Sequence, residues 1–144
     1  MNQYLIAQIG SQKFAFNISQ VKEILTYREV NEVPHSNEHV LGILKLRDKI
    51  VSIFKPTEMF NVDFQLNTEN KNDYKFIIFE DKKEDFGIIV NKVFNVQNIN
   101  EIQSAPVVND EGTFISGIYI EGSDIISIID LNNVDYFKNL CVNE

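Results

Sequence analysis

The sequence predicts an all-β protein built from two intertwined five-stranded barrels, with a short helix near its C-terminal end. Two observations favour this class. Short runs rich in Ile, Phe and Val alternate with clusters of turn-forming residues along the chain. Similar segments also recur in the same order in the two halves of the sequence. With 144 residues, of which 44% are hydrophobic, the chain is long enough to bury a core.

The predicted strands are the apolar runs between turn clusters. In chain order, they cover 4–10, 13–18, 42–44, 50–54, 74–80, 86–90, 114–120 and 124–129. Turn signals such as GSQK and EGSD separate neighbouring runs. The segment EDKKED (80–85) predicts a solvated hairpin end, and the polar segment 61–73 predicts a connecting loop.

Two segments have helical rather than alternating spacing. In VKEIL, the spacing of Val21, Ile24 and Leu25 predicts a single helical turn whose apolar side chains enter the core, with Glu23 pointing outward. Near the end of the chain, apolar residues recur every three positions over 130–140, a spacing that fits one face of a helix and predicts the short C-terminal helix.

The repeat defines the predicted domain organisation. Segment 4–24 aligns with 76–96, and segment 40–56 aligns with 115–131, with shifts of 72 and 75 residues. Because the order is kept and the shifts differ by three residues, we interpret 1–144 as one domain of two pseudo-repeated barrel subdomains. Each half is small for independent stability, so we expect the halves to pack together and to exchange strands. A groove between two short closed barrels is a candidate binding place.

Charge and composition exclude several classes of partner. The formal net charge of −8 disfavours binding to duplex nucleic acid or to an anionic membrane surface, because both need clustered cations. Cys141 is the only cysteine, so no internal disulfide can form. The N-terminus lacks a secretory pattern, and no apolar run approaches the ~18 residues of a membrane span. We therefore expect a cytoplasmic protein without direct membrane insertion.

One segment fits a catalytic motif. HSNEH matches H-x-x-E-H, in which His35 and His39 would hold zinc and Glu38 would act as base, as in a small metal-dependent hydrolase. The context favours a polar loop, because Pro34 restricts the backbone and the chain has no other histidine. No nucleophile elbow or glycine-rich phosphate loop is present. The sequence therefore predicts no enzyme, no metal and no cofactor.

The charged segment KLRDK interrupts two apolar runs and contains the first candidate binding residue. The repeat aligns Arg47 with Gly122 and Glu23 with Asn95, so the second half is predicted to form the same hairpin without either charge. Arg47 is then either an exposed turn residue paired with a neighbour or a contact for a partner protein. The repeat alone leaves both interpretations open.

Taken together and in order, these segments resemble the CheW family, the adaptor that couples chemoreceptors to the histidine kinase CheA. The family motif V-x-E-I matches at Val21, Glu23 and Ile24, and its V-P matches at Val33 and Pro34. The resemblance continues through GILKLRDKIVSIF, FGIIVNKV and GIYIEGSDIISIIDL, and so covers nearly the whole chain.

The resemblance implies two barrels of the Src-homology-3 type and a non-enzymatic adaptor. The implied partners are the cytoplasmic tip of a methyl-accepting chemoreceptor and the regulatory domain of CheA, in receptor arrays at the membrane. The implied receptor-binding residues are Arg47, Val21, Glu23 and Ile24, whereas the kinase contact cannot be assigned to residues. A CheV-type coupling module without a receiver domain is an alternative.

The sequence departs from the family pattern around the same hairpin. A glycine follows the arginine in the family motif N-L-R-G, which suggests a backbone with positive φ, and Asp48 at this place tolerates such a backbone less well. Receptor affinity or partner choice is therefore expected to differ, while the fold is not. The departures are Lys45, Asp48, Ser52, Lys55 with Pro56, and Asn91.

Overall fold

The fold is all-β, as the sequence predicts. A computed structural model describes residues 2–32, 39–80, 84–104 and 114–131. Within these ranges the chain forms ten strands, which are β1 (Gln3–Ile9), β2 (Gln12–Asn17), β3 (Val21–Thr26), β4 (Val40–Leu46), β5 (Lys49–Phe54), β6 (Lys75–Phe79), β7 (Phe86–Val90), β8 (Lys92–Asn98), β9 (Ile115–Glu121) and β10 (Asp124–Ile129).

The strands form two five-stranded sheets with equivalent orders. The first sheet has the order β8-β1-β2-β10-β9 and the second has the order β3-β6-β7-β5-β4. Neighbouring strands are antiparallel, except that β2 pairs with β10 and β5 pairs with β7 in parallel. Thus the hairpin β1–β2 lies between β8 and β10, and the hairpin β6–β7 lies between β3 and β5. Each sheet contains strands from both predicted repeat units. The duplication itself stays a prediction.

Phenylalanine side chains dominate the core between the sheets. Phe14 and Phe16 on β2 and Phe76 and Phe79 on β6 are fully buried in one cluster. The ring centroids of Phe16 and Phe79 are 5.3 Å apart, so the two sheets are in direct contact there. Each such side chain stabilises the fold by roughly 1.5–3 kcal/mol through burial. The opposite face of β1 and β2 is also buried, in a smaller cluster around Ile6. The central hairpin of this sheet is therefore apolar on both faces.

Each sheet is strongly curled. The strands β3 and β4 lie at opposite edges of the second sheet, and four strand spacings would separate them by about 19 Å in a flat sheet. Instead, Asn31, five residues beyond β3, exchanges two backbone hydrogen bonds of 2.8 Å with Ile43 on β4. In the first sheet, Gln103 and Ile118 make the same reciprocal pair at 2.8 Å. This curvature agrees with the expected Src-homology-3 type.

A glycine makes each of these backbone approaches possible. A Cβ atom added to Gly42 on β4 would lie 2.7 Å from the carbonyl oxygen of Asn31 and 2.7 Å from Cγ2 of Val30. At the matching position on β9, a Cβ on Gly117 would lie 2.7 Å from the carbonyl oxygen of Gln103. A side chain at either glycine position would push the two edges of the sheet apart.

The prediction of a helical turn at VKEIL is wrong. The segment is strand β3, and a 3₁₀ turn over Ile18–Gln20 precedes it. Pairing with β6 satisfies the backbone of β3 and overrides the local spacing of apolar residues. As a result Glu23 is partly buried rather than outward, and Ile24, expected in the core, is 42% exposed.

The connections agree only in part with the predictions. Segment 61–73 is largely irregular, as expected, but it ends in a 3₁₀ helix over Thr68–Asp73. A short helix, α1 (Pro56–Phe60), precedes it and was not predicted. The predicted C-terminal helix over 130–140 lies outside the described residues beyond residue 131. In the described ranges, no helix is long and apolar enough to cross a membrane.

We expect Gly42→Ala to destabilise the protein by about 1–3 kcal/mol, because the new methyl group must displace backbone. This corresponds to a fall in melting temperature of roughly 3–12 °C. Thermal and urea unfolding would measure the change. Lys45→Ala, an exposed substitution on the same strand, is the control and should change stability by less than about 0.5 kcal/mol. Equal melting temperatures for the two variants would contradict a tight approach at Gly42.

Candidate functional site

Arg47 occupies a turn position that favours glycine. The β4–β5 hairpin has a two-residue turn, because Leu46 pairs directly with Lys49. Arg47 is the first turn residue and has φ 57°. In the matching β9–β10 turn, the first residue is Gly122, with φ 61°. A positive φ at this position is typical of a type II′ hairpin turn, where glycine is preferred.

The positive φ therefore falls on Arg47 and not on Asp48, where the family motif suggested it. Asp48 does not carry the backbone strain that was expected of it. For L-residues other than glycine, the left-handed region costs roughly 1–2 kcal/mol. An arginine at the strained position is thus unfavourable for the hairpin alone.

The Arg47 side chain is held by Glu23. Nη1 of Arg47 donates to Oε2 of Glu23 at 2.8 Å, and Nη2 donates to Oε1 at 3.2 Å, which is a bidentate ion pair. The Arg47 side chain is 69% exposed and that of Glu23 is 23% exposed. The pair joins β3 to the tip of the β4–β5 hairpin, at the opposite edge of the same sheet. Since a guanidinium has five N–H donors, three lie outside this ion pair.

The pair is charged at neutral pH. The hydrogen bond from Arg47 is the largest cause that holds the pKa of Glu23 below its ordinary value; partial burial opposes it, and the positive charges of Arg47, Lys22 and Arg28 add to the lowering. The same hydrogen bond and the charge of Glu23 raise the pKa of Arg47. The site therefore presents a fixed guanidinium whose orientation is set by a carboxylate behind it.

The other two predicted receptor-binding residues lie on the same strand but not in one place. Val21 is partly buried and packs against the main core, next to an irregularity in the register between β3 and β6. Ile24 pairs with Ile77 and exposes its side chain on the face opposite that of Glu23. The structure thus brings Arg47 and Glu23 together and leaves Ile24 on another face.

Three further charged residues adjoin the pair. Nζ of Lys22 lies 2.6 Å from Oδ2 of Asp85, and Nζ of Lys49 lies 3.8 Å from the same oxygen. The Asp85 side chain is only 8% exposed, so the solvated end predicted for EDKKED does not hold at this residue. The repeat contained a signal for it, because Asp85 and Lys49 align with residues of opposite charge, Lys13 and Asp124.

In the described residues, neither the catalytic motif nor a polar cleft adds to this site. Most of HSNEH lies outside the described residues, and only His39 is described. In the described part of the chain, no three His, Cys, Asp or Glu side chains come close enough to hold a metal ion. A polar cleft of about 310 Å³ contains no predicted site residue. It is lined by Tyr4, Asn17, Ser19, Gln20, Ser116, Ile128, Ile129 and Asp130.

Comparison with known proteins identifies relatives over almost the full length. The CheW-like domain family matches residues 3–135. The chemotaxis protein CheW of Treponema pallidum is 26% identical over 96% of this chain and 84% of its own length. The chemotaxis protein CheW of Bacillus subtilis is 24% identical over 90% of this chain and 84% of its own length.

A solved structure shows the same fold. The crystal structure of the scaffolding protein TtCheW from Thermoanaerobacter tengcongensis superposes with a TM-score of 0.78 and 25% identity. The match covers 90% of this chain and 89% of that protein. Because the family matches residues 3–135 and the two-sheet fold agrees, the chain belongs to the CheW-like family.

Proposed function

We propose that this chain is a non-enzymatic scaffold that couples chemoreceptors to the histidine kinase CheA in chemotaxis signalling. Membership of the CheW-like family supports the scaffold role. The observation that carries the proposal at the level of residues is the Arg47–Glu23 pair. An arginine stands where the fold favours glycine, and a partly buried carboxylate holds it with donors to spare.

In the proposed mechanism the receptor tip docks across β3 and the β4–β5 hairpin. Arg47 donates charge-assisted hydrogen bonds to acceptors on the receptor helices, and Glu23 fixes the plane of the guanidinium before binding. Pre-ordering lowers the entropy lost when the complex forms. The exposed side chain of Ile24 adds apolar contact on the opposite face of β3, and Val21 adds apolar contact at the same edge of the sheet.

The second partner in this proposal is the regulatory domain of CheA. The protein would act in the cytoplasm at receptor arrays, where the receptors supply the membrane attachment. The net charge of −8 agrees with a protein partner rather than a polyanion.

We expect Arg47→Ala to weaken binding to a chemoreceptor tip fragment by roughly tenfold or more, as for an interfacial arginine anchor. Its melting temperature should stay within roughly 2 °C of the unsubstituted protein, because the side chain is exposed. Pull-down and titration calorimetry with the receptor fragment and with the CheA regulatory domain would test both parts. If the unsubstituted protein fails to bind the receptor fragment or fails to bind the CheA regulatory domain, the proposed coupling function is wrong.

Arg47→Gly separates the backbone from the side chain. Glycine removes the strain of φ 57°, so we expect the melting temperature to stay the same or to rise by up to roughly 5 °C. Receptor binding should fall as far as in Arg47→Ala. Gly122→Ala is the matched control in the other hairpin, since its φ is 61° and nothing lies within 4 Å, and it should lower the melting temperature without affecting the receptor. A marked loss of stability in Arg47→Gly would make Arg47 a structural residue.

Glu23 gives the protein a pH dependence of known sign. Because the pKa of Glu23 is lowered from 4.5 in the folded state, its ionised form stabilises the fold above about pH 4.5. That stability is lost as the pH falls through the lowered pKa. The stability difference between the unsubstituted protein and Glu23→Gln should therefore be constant from pH 7 to 5 and shrink below pH 4.5. Urea unfolding at pH 7, 5 and 3 measures it, and a difference that grows on acidification would refute the sign.

A further inference from the structure

Asp85 links the two elements that carry the Arg47–Glu23 pair. Its largely buried carboxylate accepts a hydrogen bond from Nζ of Lys22 at 2.6 Å and lies 3.8 Å from Nζ of Lys49. Lys22 directly precedes Glu23 on β3, and Lys49 follows Arg47 by two residues at the start of β5. The carboxylate, which directly precedes the central strand β7, therefore contacts both β3 and the β4–β5 hairpin, the two elements that the ion pair also joins.

Burial makes this contact specific. A carboxylate that is 8% exposed remains charged only if cations or donors replace its water, so its position determines where those cations can lie. The hydrogen bond to Asp85 is also the main cause that raises the pKa of Lys22. By contrast, the Arg47 side chain is 69% exposed and depends on its neighbours for a fixed orientation.

The first sheet contains the same arrangement with the charges exchanged. Nζ of Lys13 lies 3.0 Å from Oδ2 of Asp124 and 5.3 Å from the centre of the Phe94 ring. In the repeat alignment, Lys13, Asp124 and Phe94 stand where the second sheet has Asp85, Lys49 and Lys22 respectively. Each curled sheet therefore has an opposite-charge pair at these aligned positions, although the negative charge lies on a different strand in each sheet.

We propose that Asp85 is a positioning residue for the partner-binding site, holding β3 against the β4–β5 turn so that Arg47 stays on Glu23. The effect of Asp85 on receptor binding rests on the proposed function. The effect of Asp85 on the orientation of the Arg47 side chain does not depend on that function, so the two effects can be tested separately.

The first test observes Arg47 in the full chain without any partner. Nuclear magnetic resonance of the guanidinium reports whether its rotation is hindered by the bidentate contact. Asp85→Asn should free the Arg47 guanidinium to the degree seen in Glu23→Gln. Asp124→Asn, which breaks the matching pair in the other sheet, should leave it hindered. An Arg47 signal unchanged by Asp85→Asn would overturn the proposal.

The second test measures affinity for a chemoreceptor tip fragment. Asp85→Asn should weaken binding by roughly three- to tenfold, and this effect should vanish in the Arg47→Ala background. Equal effects in both backgrounds would mean a general structural role and would overturn the positioning role. If the unsubstituted chain binds no receptor fragment, the proposed function fails, while the resonance test still decides the role of Asp85.

The third test exchanges the charges. The triple variant Lys22→Phe, Lys49→Asp and Asp85→Lys copies the arrangement of the first sheet. It should restore the hindered Arg47 signal and most of the receptor affinity lost in Asp85→Asn. If the triple variant folds but does not restore the Arg47 signal, an opposite-charge contact at this position does not orient Arg47, and the proposal is overturned.

Discussion

The approach of Asn31 to Ile43 across Gly42 is the contact on which the candidate site depends. It brings together two edges that would otherwise lie about 19 Å apart, since a sheet gains about 4.8 Å per strand. The reciprocal hydrogen bonds of 2.8 Å need a residue without a side chain opposite them. Only in a sheet curled this far can Glu23 on one edge strand reach Arg47 at the tip of the other. The backbone of one glycine thus sets the geometry of a charged surface site.

The first sheet has the same close backbone approach at a glycine and the same type of hairpin turn, but it lacks the charged site. Gly117 admits the carbonyl oxygen of Gln103 as Gly42 admits that of Asn31, and the hairpin that follows has the same positive φ in its turn. At that turn, however, Gly122 replaces the arginine, and Asn95 stands where the other sheet has Glu23. Curl and turn are therefore requirements of the fold, whereas the ion pair is an addition made to one sheet only. The same comparison separates the brace at Asp85, which has a counterpart, from Arg47, which has none.

The sequence predicted the fold class well because strand patterns and hairpin turns are local. The repeat even located the two glycines, since Gly42 aligns with Gly117. It failed at VKEIL because helical spacing over five residues is compatible with a strand, and only pairing with β6 decides between them. It also missed the Arg47–Glu23 contact, because 24 residues and an edge-to-edge closure separate the partners. Asp85 was misread for a related reason, since a charge at a hairpin end looks solvated until another strand covers it.

The backbone strain at Arg47 and the charge network around it have a common explanation. A non-glycine residue with φ 57° in a two-residue turn costs stability that glycine would not. An exposed ion pair offsets little of this loss of stability, because water screens the charges and two side chains must be ordered. Folding therefore gives no reason for an arginine there, whereas the proposed receptor contact would. A guanidinium that is to bind a partner benefits from being held in place beforehand, first by Glu23 and, through Lys22 and Lys49, by the buried carboxylate of Asp85.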